Sequence, residues 1–259
     1  MKIPLYQVDA FTSEIFHGNP AAVCPLEKWL PDTTLQNIAT ENNLSETAFF
    51  VPRENEYDLR WFTPTVEVDL CGHATLAAAF VLFNELAFSG NEIRFHSRSG
   101  VLTVARNGDI LTLDFPSRPP EKCNTPEALV RGLGKAPTQV LKSRDYVAVF
   151  DSAEDVKNLQ PDFAALKALD CLGVIATASG KDCDFVSRFF APKAGIDEDP
   201  VTGSAHCTLI PFWAGRLGKA KLFARQISKR GGELFCELAG DRVRIGGKAR
   251  LYLRGEIFI

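Results

Sequence analysis

The residues of this chain best suited to chemistry stand at the openings of two apolar segments. Gly72-His73-Ala74 and Gly203-Ser204-Ala205 each put a glycine where the backbone must come close to something. An apolar, alanine-containing stretch of helical character follows each. Free N–H groups at a helix start attract anions. Two such starts imply a small-molecule ligand that carries a carboxylate. Plain helix capping, with Asp199 or Thr202 satisfying the amides, is the structural alternative.

Acids stand near both openings. Glu46 lies in Leu44-Ser45-Glu46-Thr47-Ala48-Phe49-Phe50, just before an apolar run that reads as a strand. A carboxyl group at the edge of a core is partly desolvated, which raises its pKa and suits it to general acid/base work. Asp69 and Asp199 precede Gly72 and Gly203, each as a reactive group or as a loop brace. His73 sits where the helix dipole disfavours a protonated ring, so a neutral imidazole able to donate or shuttle a proton is expected. His206 fits a helix-packing role.

Composition narrows the classes. The chain has 259 residues, 46% hydrophobic and 24% charged, with a formal net charge of -3. No global basic field exists to attract nucleic acid. No apolar run approaches the roughly 18 residues that span a bilayer. The N-terminus reads as a strand and lacks the features of a signal peptide, so the expected compartment is the cytoplasm. The seven cysteines are scattered without a Cys-x-x-Cys, which argues against a disulfide framework. No His/Cys/Asp grouping has zinc spacing, so no metal is expected. No dinucleotide fingerprint, phosphate loop or serine-hydrolase elbow occurs.

The elements that position these residues occur twice. Arg60-Trp61-Phe62-Thr63-Pro64 resembles Arg188-Phe189-Phe190-Ala191-Pro192, and each run reaches its Gly-x-Ala step through a loop. Downstream, Gly108-Asp109 and Gly240-Asp241 each separate short alternating runs, the signal of a β-hairpin. All these matches share nearly one offset, about half the chain, which marks a duplication. The expected domains are 1–117 and 118–259, parted at the proline-rich stretch Ser117 to Lys122, with the terminal strand free to pack on the N-terminal half. Each half reads as a mostly antiparallel, barrel-like sheet around one central helix, Gly72 to Phe83 or Gly203 to Arg216. That is an α+β fold. The two helix openings are expected to face each other across a cleft between the halves.

Six stretches in order now resemble one family. They are Val8-Asp9-Ala10-Phe11-Thr12, Gly18-Asn19-Pro20-Ala21-Ala22-Val23, Leu44-Ser45-Glu46-Thr47-Ala48-Phe49, Trp61-Phe62-Thr63-Pro64, Val68-Asp69-Leu70-Cys71-Gly72-His73-Ala74-Thr75 and Asp199-Pro200-Val201-Thr202-Gly203-Ser204-Ala205-His206. Together they are similar to the PhzF family of phenazine-biosynthesis-like isomerases. The resemblance implies the diaminopimelate epimerase-like fold, a homodimer and no cofactor. It implies catalytic roles for Glu46, His73 and Asp199, with Glu46 the principal acid/base, and substrate contacts from Ser45, Gly72, Gly203 and Ser204. A proton shift on a small carboxylic acid is the activity it implies. Related epimerases use a cysteine pair, and Cys71 and Cys207 flank the two openings. An amino-acid racemase or epimerase is therefore a second reading, and a non-catalytic ligand-binding protein on the same scaffold is a third.

Overall fold

The computed structural model describes all residues 1–259. Contacts divide the chain into a first unit, residues 1–114 with 246–259, and a second unit, residues 115–245.

In the first unit the elements run β1 (Lys2–Ala10), β2 (Asn19–Pro25), α1 (Asp32–Asn42), β3 (Glu46–Arg53), β4 (Glu56–Phe62), β5 (Glu67–Val68), α2 (Gly72–Asn84), β6 (Glu92–Ser97), β7 (Gly100–Asn107) and β8 (Ile110–Pro116). Most neighbours pair antiparallel, but β2 with β3 and β4 with β6 are parallel. Parallel partners need a connection long enough to carry the chain back. Here α1 serves the first pair, and β5 with α2 serves the second. The α2 sequence, centred on Ala77-Ala78-Ala79, has strong helix formers and no polar face. Residues 73–79 and 81–83 are buried, so the helix is enclosed on nearly every side. It touches β1, β2, β3 and β7.

The second unit runs β9 (Glu121–Lys122), α3 (Glu127–Leu133), β10 (Gln139–Lys142), β11 (Tyr146–Val149), α4 (Ala153–Lys157), α5 (Phe163–Lys167), β12 (Val174–Ser179), β13 (Phe185–Ala191), β14 (Ile196–Asp199), α6 (Gly203–Leu217), β15 (Lys221–Gln226), β16 (Gly232–Ala239) and β17 (Arg242–Gly247). Its pairing repeats that of the first unit. The β11–β12 and β13–β15 pairs are parallel, while β10–β11, β12–β13, β13–β14 and β15–β16 are antiparallel. The last strand, β18 (Ala249–Phe258), returns to the first unit and pairs antiparallel with β1, from Lys2 opposite Phe258 to Ala10 opposite Ala249.

Two details show how deep the repeat runs. Arg60 on β4 forks both oxygens of Glu67 on β5, at 2.7 and 2.8 Å. Arg188 on β13 forks Glu198 on β14 in the same way, at 2.8 and 2.9 Å. Each bidentate pair ties down the short strand that leads into a helix opening. Gly108 and Gly240 both take left-handed φ, 63° and 67°, at the hairpin turns. A side chain is disfavoured there, which explains why glycine stands at both positions.

Candidate active site

Glu46 is the first residue of β3 and His73 the second of α2. Their Oε2 and Nε2 atoms lie 3.2 Å apart, and both side chains are largely buried. The two atoms meet off-line, and neither has a properly aligned hydrogen-bond partner. Two buried polar atoms at one spot therefore still have a hydrogen bond to offer, which is costly unless function retains it.

The other ring nitrogen, Nδ1, lies 3.1 Å from Asn19 Nδ2 and 3.5 Å from Cys71 Sγ. Burial alone would pull the imidazole down. The neighbouring Cys71 and the Glu46 carboxylate more than offset it and hold the ring well above its usual range. This corrects the expectation of a neutral ring. The helix dipole does oppose the charge, but it amounts to only about half an elementary charge at the helix start, and a carboxylate 3.2 Å away outweighs it. Burial and the charge of Glu46 push the Cys71 thiol up. Cys71 is the N-cap of α2 and offers no side-chain cap, which leaves the first amides without one.

Asp199 ends β14 in the second unit. Its Oδ2 accepts a hydrogen bond from Thr202 Oγ at 2.5 Å, and its carbonyl accepts one from Gln226 Nε2 at 2.7 Å. Gln226 Oε1 in turn accepts from the Thr202 N–H at 2.9 Å. Asp199 is thus a brace of the α6 opening, whatever else it does. Ser204, the second residue of α6, accepts from Arg144 Nη2 at 3.1 Å. Arg144 also binds Asp145, whose other oxygen accepts from the Gly173 N–H at 3.0 Å. Sequence reasoning missed Asn19, Arg144, Asp145 and Gln226 as site neighbours. Asn19 alone carried a signal, because it stands inside the Gly18-Asn19-Pro20 motif.

His206 is fully buried and donates from Nδ1 to the Thr202 carbonyl at 2.8 Å. Its ring lies against Phe185, and burial lowers its pKa to about 4, so it is neutral. Cys207 lies one residue beyond it, deeper in α6, with its thiol pushed up to about 11 by burial. The two candidate thiols do not occupy equivalent places. Cys71 caps α2, whereas the residue that caps α6 is Thr202.

One group of donors could approach a metal. Glu46, Cys71 and His73 each present an atom within 4.8 Å of the others. The sequence spacing hides this group, because Glu46 comes from another strand. A tetrahedral zinc ion sets its ligand atoms about 3.3–3.6 Å apart, so the side chains would have to draw in to hold one.

The chain is thus a duplicated α+β scaffold with a buried carboxyl–imidazole pair at the start of one central helix. The chain belongs to the PhzC-PhzF family of phenazine biosynthesis-like proteins, matched over residues 8–255. It is 55% identical over its whole length to an uncharacterized isomerase of Pseudomonas aeruginosa, and covers all of that protein. A crystal structure of a PhzF family protein from Enterococcus faecalis superposes with a TM-score of 0.98 at 52% identity, with both chains fully covered. A hydroxyproline epimerase of Agrobacterium vitis shares the fold alone, at 10% identity and a TM-score of 0.64 over 99% of this chain and 92% of that one. No helix is long and apolar enough to cross a membrane.

Proposed function

We propose that this protein is a cofactor-independent isomerase that shifts a proton on a small carboxylic acid, with Glu46 as the acid/base. The observation that carries the reading is the buried pair of Glu46 Oε2 and His73 Nε2, 3.2 Å apart and short of hydrogen bonds, at the uncapped start of α2. In the proposed reaction a C–H bond next to an electron-withdrawing group breaks. The proton passes to Glu46 Oε2, and the electron pair enters the neighbouring π system. Glu46 then returns the proton to another carbon, so the product has the formula of the substrate. The protonated His73 lends a proton to an oxygen of the substrate as the C–H bond breaks and takes it back as Glu46 returns its own, so both groups end as they began. The α2 amides, beginning with Gly72, favour the substrate carboxylate.

Ser45, Gly203, Ser204 and Asp199 complete the proposed set on the strength of the family motifs. The same resemblance supports a homodimer. Names of relatives such as the Pseudomonas aeruginosa protein support isomerase chemistry. The epimerase reading with a thiol pair fits less well, because Thr202 stands where a second capping cysteine would be needed.

The test is a screen of small unsaturated carboxylic acids, followed by NMR for a product of unchanged mass with its double bond moved. Glu46→Gln keeps the shape and removes the titration. It should lower turnover by about 10²-fold or more and leave binding largely intact. Turnover in Glu46→Gln equal to wild type would remove Glu46 from the role.

A further inference from the structure

We propose that Asn19 is a positioning residue for His73, holding its ring so that Nε2 faces Glu46 in both charge states. The inference rests on the acid/base reading above and deepens it. Asn19 opens β2 and is completely buried. A buried amide is costly unless it is paired, and here its Nδ2 lies 3.1 Å from His73 Nδ1. Donation from Nδ2 makes Nδ1 an acceptor, so the proton of the neutral ring sits on Nε2, toward Glu46. Turned end for end, the same amide presents Oδ1 and accepts from the Nδ1–H of the protonated ring. The imidazole can therefore gain and lose a proton without rotating. Cys71 Sγ, 3.5 Å from the same nitrogen, is too weak a partner to do this by itself.

The second unit builds a related contact at the corresponding corner. Arg144 stands two residues before β11, the counterpart of β2 in pairing order, and donates to Ser204, the second residue of α6. A polar residue at the entry to this strand thus holds the second residue of the central helix in both copies of the fold. In the second copy the held group does not titrate, and an arginine, which is always charged, suffices. In the first the held group is a histidine, and an amide can serve as both donor and acceptor where an arginine can only donate.

The test uses the full chain with 15N-labelled histidine. Its four histidines are resolved by NMR, and His73 is assigned with His73→Gln. At high pH the wild-type ring should show two well-separated 15N signals, those of a single Nε2–H tautomer. In Asn19→Ala that separation should collapse as the tautomers exchange. Asn19→Asp keeps the packing and places a carboxylate on Nδ1, so it should move the ring titration upward. Once a substrate is in hand, Asn19→Ala should lower kcat on the order of 100-fold, the scale of a misplaced reacting group, with KM little changed. Unchanged His73 signals in Asn19→Ala, with a native amide spectrum, overturn the proposal. If Asn19→Ala does not fold, an unmoved titration in Asn19→Asp overturns it instead. The ring signals report on His73 alone, so they can contradict this role while Glu46 still carries turnover, and the reverse.

Discussion

The α2 and α6 openings are built on one plan and finished differently. Each follows a short strand tied down by an Arg–Glu fork, and each begins with glycine. At α6, Asp199, Thr202 and Gln226 bond to one another, and Ser204 accepts from Arg144. At α2 the corresponding space holds Cys71, His73 and Glu46, with Oε2 and Nε2 unsatisfied. His206 Nε2 is unsatisfied too, but its ring is neutral and lies against Phe185. A duplicated fold shows what the scaffold needs for stability, because one copy supplies it. The departure in the other copy is then the candidate for function.

The largest effect that can break this contrast is the loss of turnover in Glu46→Gln, 10²- to 10⁴-fold on the scale of general acid/base removal. Asp199→Ala should instead be felt first in stability. Removing the acceptor of the Thr202 hydroxyl should cost about 1–2 kcal/mol, read from urea denaturation. If Asp199→Ala leaves stability unchanged, the brace is not one.

The two helix histidines sharpen the contrast through pH. The folded pKa of His73 is raised, so between pH 6.5 and that pKa the folded state binds more protons than the unfolded state. Its contribution to stability is full below about pH 6.5 and is lost as pH rises through the folded value. His206 behaves the opposite way, with a folded pKa of about 4 against an unfolded 6.5. Its contribution, roughly 3 kcal/mol for a fully buried ring, is present above pH 6.5 and lost as pH falls toward 4. Denaturation across pH should show His73→Gln flattening the alkaline side and His206→Gln the acid side. The smallest effect is expected from Cys207→Ser, which should change turnover by less than about tenfold, below the range of acid/base loss. A loss in that range would revive the thiol reading.

Much of this contrast was legible in the sequence. The matched Arg60 and Arg188, the Gly-x-Ala steps and the Gly-Asp turns revealed the duplication, because each is a local backbone requirement written in residue type. The helix starts were legible for the same reason. The parallel β2–β3 and β4–β6 pairs were not, since alternation shows which face a residue takes but not which strand lies beside it. The charge on His73 was misread because the dipole is local and visible, whereas Glu46 reaches the ring from another strand. Arg144 and Asn19 escaped notice for that reason as well: each matters through a partner far along the chain.

The central claim is that protons move at the α2 opening and are carried by Glu46. Incubation with a turned-over acid in deuterium oxide tests it most directly, with deuterium at carbon followed by NMR. A proton held on Glu46 can exchange with solvent before it is returned, so wild type should carry deuterium onto the receiving carbon as it isomerises, at no more than the rate of isomerisation, and Glu46→Gln should slow this by about 10²-fold or more. Exchange in Glu46→Gln as fast as in wild type, with the fold intact, would contradict the account.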